Sequence, residues 1–331
     1  MILLFYGTRP EYIKISPLLK VMKEEGIPHR ILFTGQHEDI CGGTFDCRIN
    51  IINGPNRLDS IVQSLLNLSD KIFDGIKYVL VQGDTSSAMA IAMSAFHHNI
   101  PIIHLEAGLR TYDIQNPYPE EFNRQIISKI SNIHLCPTHT NQINLNNEGI
   151  YDNIYVTGNT GLDNLVDIKT EYNNDIVVTL HRRENHKILP LWFNIINDLA
   201  CEYKKLNFII PLHPNPNVQL HKHILTDVIV TAPLLHEDMI QLISKCKFII
   251  SDSGGLQEES SFLNKKIIVC RKVTERTETL GKNSLLCKDP SELRDIFRNI
   301  INDYIITEKC PYGDGNSSKR VAEIFKQILQ T

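Results

Sequence analysis

The stretch "YVLVQGDTSS", residues 78–87, decides how this chain is read. An apolar run, Tyr78-Val79-Leu80-Val81, delivers a Gly-Asp pair and then small hydroxyl residues. A run of that length and composition is a buried strand. The residues after it have the composition of a helix start, and Asp84 taken alone reads as its N-cap. Whether the carboxylate does more than cap depends on the pattern outward from it.

The same alternation recurs along the chain. Apolar runs lie at 2–6, 29–33, 78–82, 100–105, 133–136 and 154–156, and resume at 175–180, 207–211, 228–231, 247–251 and 266–270. Segments 11–25, 85–97, 121–131, 188–204, 237–245 and 255–263 fit helices between them. That is βαβα repetition, hence parallel sheets with helices on both faces. Parallel strands covered on both faces read as continuous Val/Ile/Leu runs, and these do. The repetition occurs twice, with about six strands and then about five. The joint lies in "GNTGLDNLVDIKTEYNND", residues 158–175. The expected architecture is α/β: two doubly wound, Rossmann-like domains facing a cleft, residues 1–166 and 167–316. The last segment, 317–331, reads as an amphipathic helix with a Ser cap. Val321, Ile324, Phe325, Ile328 and Leu329 share one side, which suits packing back toward the first domain.

A chain of 331 residues with 42% hydrophobic and 22% charged residues has the composition of a globular protein with two cores. Net charge is −4, so no basic field favours nucleic acid and no polybasic face favours a membrane. The apolar runs are far shorter than a membrane span. Residues 1–6 lack a positive n-region and read as a first strand rather than a signal peptide, so a cytoplasmic protein is expected. The 8 cysteines form no C-x-x-C pair and read as reduced residues, with Cys41 and Cys47 the pair that could be bridged. The 13 histidines show no metal spacing.

In open α/β sheets, ligands bind outside the carboxyl ends of the strands. Strand after strand here ends in charged or Gly-rich sequence: Gly7, Arg9 and Lys14; Asp84; Glu106 and Arg110; His181, Arg182, Arg183 and Glu184; His213; Ser253, Gly254, Gly255 and Glu259. In "SDSGGLQEESSFL" a strand ends, two glycines permit close backbone approach, and a helix begins. That geometry aims N–H groups at an anion. No G-K-[ST] and no G-x-G-x-x-G is present there, so neither a Walker loop nor a nicotinamide cofactor is indicated. The basic residues at other strand ends point to a diphosphate. Asp84, Glu106 and Glu120 or Glu121 would then act on its neutral part, as carboxylates do on a sugar. Plainer readings stand beside these. Glu120 and Glu121 could complement the dipole of a helix that starts after Pro119. Arg9-Pro10 could be an ordinary helix entry and Lys14 a solvated lysine. His104 reads as a core histidine, and His97-His98 as partners of a helix carboxyl end. Arg182-Arg183-Glu184 and Glu275-Arg276 could be surface ion pairs worth little.

The segments "GTRPEYIKISPL", "TGQH", "VQGDTSSAMA", "HLEAGLRT", "PYPEEFNRQ", "VTGNTGLD", "VTLHRREN", "SDSGGLQEE" and "TER" run in order from residue 7 to 276. Together they resemble the non-hydrolysing UDP-N-acetylglucosamine 2-epimerases, a family with the glycosyltransferase-B fold. The resemblance implies that Asp84, Glu106 and Glu120 are acid/base carboxylates around the sugar. It implies that His181 assists departure of UDP. It implies a substrate-binding set of Arg9, Lys14, Arg124, Arg182, His213, Leu234, Met239, Ser253, Gly254, Gly255, Glu259 and Arg276. Within it, Ser253, Gly254 and Gly255 would hold the phosphates and Glu259 the ribose. The implied reaction expels UDP by anti elimination, leaving 2-acetamidoglucal, and re-adds it with a proton on the other face of carbon 2. No metal or redox cofactor is implied, and a homodimer is. The chain departs from the family pattern at "TGQHEDI", where Glu38 replaces an arginine, in the short segment after it, and at Thr277 of "ERTE". Alternatives are an epimerase of a related UDP-2-acetamido sugar, a glycosyltransferase of the same fold, and a non-catalytic nucleotide-sugar sensor.

Overall fold

The computed structural model describes residues 1–36 and 43–330. Glu38 and Cys41, singled out in the sequence, lie outside the described residues. The chain divides into two compact units: Met1–Asn164 with the chain from Tyr312 onward, and Leu165–Pro311.

The first unit is built on a parallel sheet of β1 (Ile2–Tyr6), β2 (His29–Phe33), β3 (Cys47–Arg48), β4 (Tyr78–Gln82), β5 (Ile102–Leu105), β6 (Ile133–Cys136) and β7 (Ile154–Val156). Their order is β3-β2-β1-β4-β5-β6-β7. The helices are α1 (Arg9–Glu24), α2 (Arg57–Leu66), α3 (Ser86–His97), α4 (Glu120–Ile130) and α5 (His139–Asn147). Alternation along β1 feeds two cores. Ile2, Leu4 and Tyr6 pack with Ile15, Leu18 and Met22 of α1 on one face; Leu3 and Phe5 pack with Val79, Val81 and the alanines of α3 on the other. The strand missed in the sequence, β3, is two residues long and pairs with Leu32 and Phe33. It is too short to leave an apolar run.

The second unit holds a parallel sheet of β8 (Asp175–Thr179), β9 (Asn207–Pro211), β10 (Ile229–Thr231), β11 (Phe248–Ser251), β12 (Ile267–Cys270) and β13 (Ser284–Cys287). The order is β10-β9-β8-β11-β12-β13. Its helices are α6 (Leu189–Glu202), α7 (Pro216–Gln219), α8 (His236–Lys245), α9 (Gly254–Phe262) and α10 (Leu293–Ile300). Trp192 and Phe193 of α6 anchor the core against Ile176, Val178 and Phe208. Here β13 is the unexpected strand, a four-residue segment in register with β12.

After Pro311 the chain rejoins the first unit, where Asn159 N donates to Tyr312 O at 2.7 Å. The last helix, α11 (Ser317–Gln330), buries Val321, Ile324 and Phe325 in the core shared with α1. Its cap is not its own serine. The Asp163 carboxylate accepts from Ser317 N at 3.1 Å and Ser318 N at 2.7 Å. Gly158 permits this approach: at φ +89° a Cβ there would sit 2.3 Å from Ser317 Oγ. The joint between the units is pinned to the second unit by Lys265. Its Nζ donates to Cys246 O at 2.7 Å and to Glu171 O, and lies 3.6 Å from the Tyr172 ring centre. Burial lowers the Lys265 pKa to about 8.

The cysteines among the described residues are free, and Cys136, Cys246, Cys270 and Cys287 are buried. Among the described residues, no helix is long and apolar enough to cross a membrane. In each sheet the winding reverses once, between β1 and β4 and between β8 and β11. A crevice opens at such a point because the flanking helices leave on opposite faces.

Candidate active site

At the first reversal, two loops leave β1 and β4 side by side. Thr8 caps α1 and Glu11 completes a capping box, with Pro10 in the first turn and Arg9 half-exposed as its first residue. The Glu11 carboxylate is 1% exposed and also crosses to the second loop. It accepts from Gly7 N at 2.8 Å, Thr8 N at 2.7 Å, Thr8 Oγ1 at 2.9 Å and Thr85 Oγ1 at 2.6 Å. Burial pushes its pKa up. Thr85 in turn caps α3 by accepting from Ala88 N at 3.0 Å. The cap expected of Asp84 is therefore made by its neighbour, because Gly83 at φ +69° turns the chain one residue early. Asp84 pairs with Arg124 of α4 instead.

Arg124 is 3% exposed, and its Nη1 also donates to Glu121 Oε2 at 3.2 Å. Asn123 Nδ2 holds Asp84 O at 2.8 Å. Glu121 is consumed by scaffold: it accepts from Thr111 N at 3.0 Å, Tyr112 N at 3.1 Å and Gln125 Nε2 at 2.9 Å as well. Glu120, at the first position of α4, is half-buried.

Glu106 comes directly after β5 at φ +69°, a conformation that strains a residue with a Cβ. Its carboxylate is held by Lys14 Nζ and by Gln82 Nε2 at 2.5 Å. Lys14, Gln82 and Glu106 line one recess of the first unit with Asn159 and Thr160. Lys14 is therefore an ion-pair partner and not a solvated lysine. His104 is fully buried, as its place in an apolar strand implied, and its Nε2–H donates to Gly83 O at 2.9 Å. Arg110 is likewise scaffold: it grips Glu148 at 2.5 and 2.9 Å, Ser128 Oγ at 2.9 Å and Leu109 O at 2.7 Å.

At the second reversal, Asp252 sits just after β11 with no exposed surface. It accepts from His181 N at 3.2 and 3.0 Å, Arg182 N at 2.9 Å and Asn185 Nδ2 at 3.0 Å. Its Oδ1 also lies 3.4 Å from His181 Nδ1. The His213 ring stacks on His181 at 5.0 Å between centres, with 10° between planes. Burial holds both imidazoles below the ordinary histidine pKa; Asp252 opposes that shift, and Arg182 and His186 add to it at His181.

Next along the chain, Ser253 occupies the N-cap of α9 without a side-chain cap bond, so its first-turn N–H groups remain for a ligand. A Cβ on Gly254 would lie 2.6 Å from Arg276 Nη1, whereas one on Gly255 would meet nothing within 4 Å. The two glycines differ in purpose: the first makes room for protein. Arg276 is 5% exposed and pairs with Glu258 and Glu275. Arg271, 1% exposed, pairs with Glu184 at 3.0 Å and Glu275 at 3.1 Å. The expectation that Glu275-Arg276 is a surface ion pair is thus corrected, since both residues are buried; charge runs alone do not reveal burial. Glu184 is exposed, and only its partner Arg271 lies inside. Glu259 receives His236 Nε2 at 2.7 Å. Leu234 and Met239 flank His236 in sequence and are half-exposed.

A family profile described as UDP-N-acetylglucosamine 2-epimerase matches residues 20–326. The chain belongs to that family. It is 35% identical to the UDP-N-acetylglucosamine 2-epimerase of Campylobacter jejuni, over 98% of this chain and 97% of the relative. It is 33% identical to the enzyme of the same name from Salmonella borreze, over 99% and 98%. A crystal structure of the Neisseria meningitidis UDP-GlcNAc 2-epimerase bound to UDP-GlcNAc superposes with a TM-score of 0.88 at 31% identity, over the whole of both chains. The two parallel-sheet units are those of the glycosyltransferase-B fold. Against this family reading, the sequence passed over Asp252, Gln82, Asn185 and Glu11. Asp252 stood directly before Ser253, which drew the attention, and the pairing of β8 with β11 brings it to His181.

Proposed function

We propose that this protein is a UDP-N-acetylglucosamine 2-epimerase, an isomerase that interconverts UDP-N-acetylglucosamine and UDP-N-acetylmannosamine. The observation that carries the reading is the division of chemistry between the two reversals. The first presents Asp84 and Glu106, each paired with a cation. The second presents an uncapped Gly-rich helix start and stacked imidazoles. The second holds the diphosphate through Ser253, Gly254, Gly255, Arg182 and His213, with Glu259 on the ribose and Leu234 and Met239 beside the base. Arg276 supports α9 from beneath, and Arg9 adds positive charge at the start of α1.

The proton on carbon 2 is poorly acidic, so elimination comes first. The C1–O bond breaks, its electron pair leaves with UDP, and His181 supplies a proton to the departing phosphate. A carboxylate takes the proton from carbon 2, giving 2-acetamidoglucal. Asp84, Glu106 and Glu120 form the acid/base set, and the cationic partners keep Asp84 and Glu106 oriented. Re-addition of UDP, with a proton delivered to the opposite face of carbon 2, completes the inversion.

Incubation with UDP-N-acetylglucosamine in deuterated water, monitored by proton NMR, tests the proposal. The expected product is UDP-N-acetylmannosamine with deuterium at carbon 2. A glycosyltransferase would leave the sugar unchanged without an acceptor, and a sensor would bind UDP without turnover. We further propose a cytoplasmic homodimer, as the family resemblance implies; light scattering at a single-chain mass would refute the dimer.

A further inference from the structure

We propose that Asp252 is the positioning residue that fixes the ring and the protonation site of His181, so that His181 takes up a proton when a nucleoside diphosphate binds and passes it to the phosphate that departs. The inference rests on the proposed function and deepens it.

The geometry is specific. Asp252 is fully buried and spends its oxygens on the turn that carries His181: two backbone N–H groups, His181 and Arg182, and the Asn185 amide. Asn185 is itself clamped, donating to Cys270 O at 3.0 Å and accepting from Trp192 Nε1 at 3.3 Å. The turn cannot drift without breaking this buried set. Within it, Asp252 Oδ1 faces His181 Nδ1 at 3.4 Å. A carboxylate there selects the Nδ1–H tautomer and leaves Nε2 as the titrating atom. His186 secures the same turn, its Nε2–H donating to His181 O at 3.0 Å. On the exposed side, Asn215 N donates to His213 Nδ1 at 3.1 Å, so the His213 proton sits on Nε2. The stacked pair therefore has both tautomers set by the fold.

The charges around His181 are Asp252, Arg182, His186 and His213. Burial keeps the ligand-free imidazole below its ordinary pKa; Asp252 opposes that shift, and Arg182 and His186 add to it. A diphosphate adds negative charge beside the ring and reverses the balance, since an opposite charge within a few ångströms favours the charged form. Binding then draws a proton onto Nε2. Elimination uses it: as the C1–O electron pair passes to the phosphate, that group gains a negative charge, and the Nε2 proton neutralises it. The imidazole is left neutral, and the protonated phosphate returns the proton when UDP re-adds. No other reactant is required.

The test is calorimetry of UDP binding to the full-length protein at about pH 7.5, above the ordinary histidine range, in HEPES and in Tris. Buffers of different ionisation enthalpy report proton uptake directly. The expected result is uptake approaching one proton per UDP. The affinity should then weaken by close to tenfold per pH unit as pH rises through this range, the limit set by linkage. Asp252→Asn removes the charge that favours the imidazolium. It is expected to abolish uptake at that pH and to lower kcat by roughly 10²-fold, the lower end for a lost general acid, with KM little changed. A merely structural Asp252 would not move the proton count. Because Asp252→Asn can fail to fold, His181→Gln serves as the second variant: it keeps the backbone donors to Asp252 and is expected to bind UDP without uptake. Binding of UDP by the wild type without uptake overturns the inference, and so does uptake that persists in His181→Gln. Absence of UDP binding by the wild type overturns the functional reading and this inference with it.

Discussion

The adjacent glycines at the start of α9 give a sharp test, because the sequence treats them alike and the structure does not. In Gly254→Ala the new methyl would lie 2.6 Å from Arg276 Nη1, 3.1 Å from Cζ and 3.3 Å from Glu275 Oε1. Ordinary contact is about 3.5 Å or more, so nearly an ångström must be found. An exposed arginine would swing aside. Arg276 cannot, since it is 5% exposed and pinned by Glu258 and Glu275. Overpacking alone costs about 1–3 kcal/mol. Loosening one buried ion pair approaches the roughly 3–5 kcal/mol of losing a partner. The net cost is then about 2–4 kcal/mol, or roughly 5–15 °C in the melting temperature of a unit this size. In Gly255→Ala the methyl enters open space. Alanine is the better helix former by up to about 1 kcal/mol, so stability should hold or rise. The methyl instead obstructs an anion approaching the first-turn N–H groups, and UDP should bind at least about tenfold more weakly, a loss of about 1.4 kcal/mol. Scanning calorimetry of both variants, with UDP titrations, separates the two effects. Equal melting temperatures would refute the packing argument; unchanged UDP affinity in Gly255→Ala would refute the phosphate cradle.

Three further outcomes are expected. Burial lowers the pKa of His104 to about 3 and of His134 to about 4, so the unfolded chain binds protons that the folded one refuses. Their contribution to stability is complete above the ordinary histidine pKa of about 6.5 and is lost as pH falls, by about 1.4 kcal/mol per unit for each. The urea midpoint should drop accordingly between about pH 6.5 and 5, and a level midpoint there would contradict the assignment. Asp84→Asn should abolish deuterium incorporation at carbon 2 while costing only about 1–2 kcal/mol of stability, because the Asp84–Arg124 pair is partly screened by solvent. Full exchange in a folded variant would remove Asp84 from the acid/base set. Lys265→Met strips donors from Cys246 O and Glu171 O and should destabilise by roughly 2–3 kcal/mol. With its pKa lowered to about 8, Lys265 makes wild-type stability rise with pH from about 8 toward 10.5; a wild-type minus variant difference that stays flat there would sink the clamp.

The sheets were legible because burial on both faces forces continuous apolar runs; β3 was not because it is two residues long, and β13 was not because Ser284–Cys287 is an edge strand whose two leucines are only half-buried. The site was legible in part, and the reason lies in where hydrogen bonds go. A polar residue at a strand end has local work to do: cap a helix, fix a turn, neutralise a buried neighbour. Sequence shows the residue but not whether that work is already done. Arg110 and Glu121 looked like candidates, yet their groups are spent on the scaffold. Arg276 looked exposed and is walled in. Asp84 looked like a cap, yet Thr85 caps α3, and the Asp84 carboxylate reaches solvent beside Arg124. Ser253 holds the N-cap of α9 and makes no cap bond, which leaves the helix start for an anion. Glu11 and Asp252 do the opposite, each filling its acceptors so that loops 74 and 71 residues apart in the chain keep one geometry. The residues that carry chemistry in such a fold are those whose local work a neighbour has taken over. The residues that hold them are buried carboxylates with no spare oxygen, and these only tertiary structure reveals.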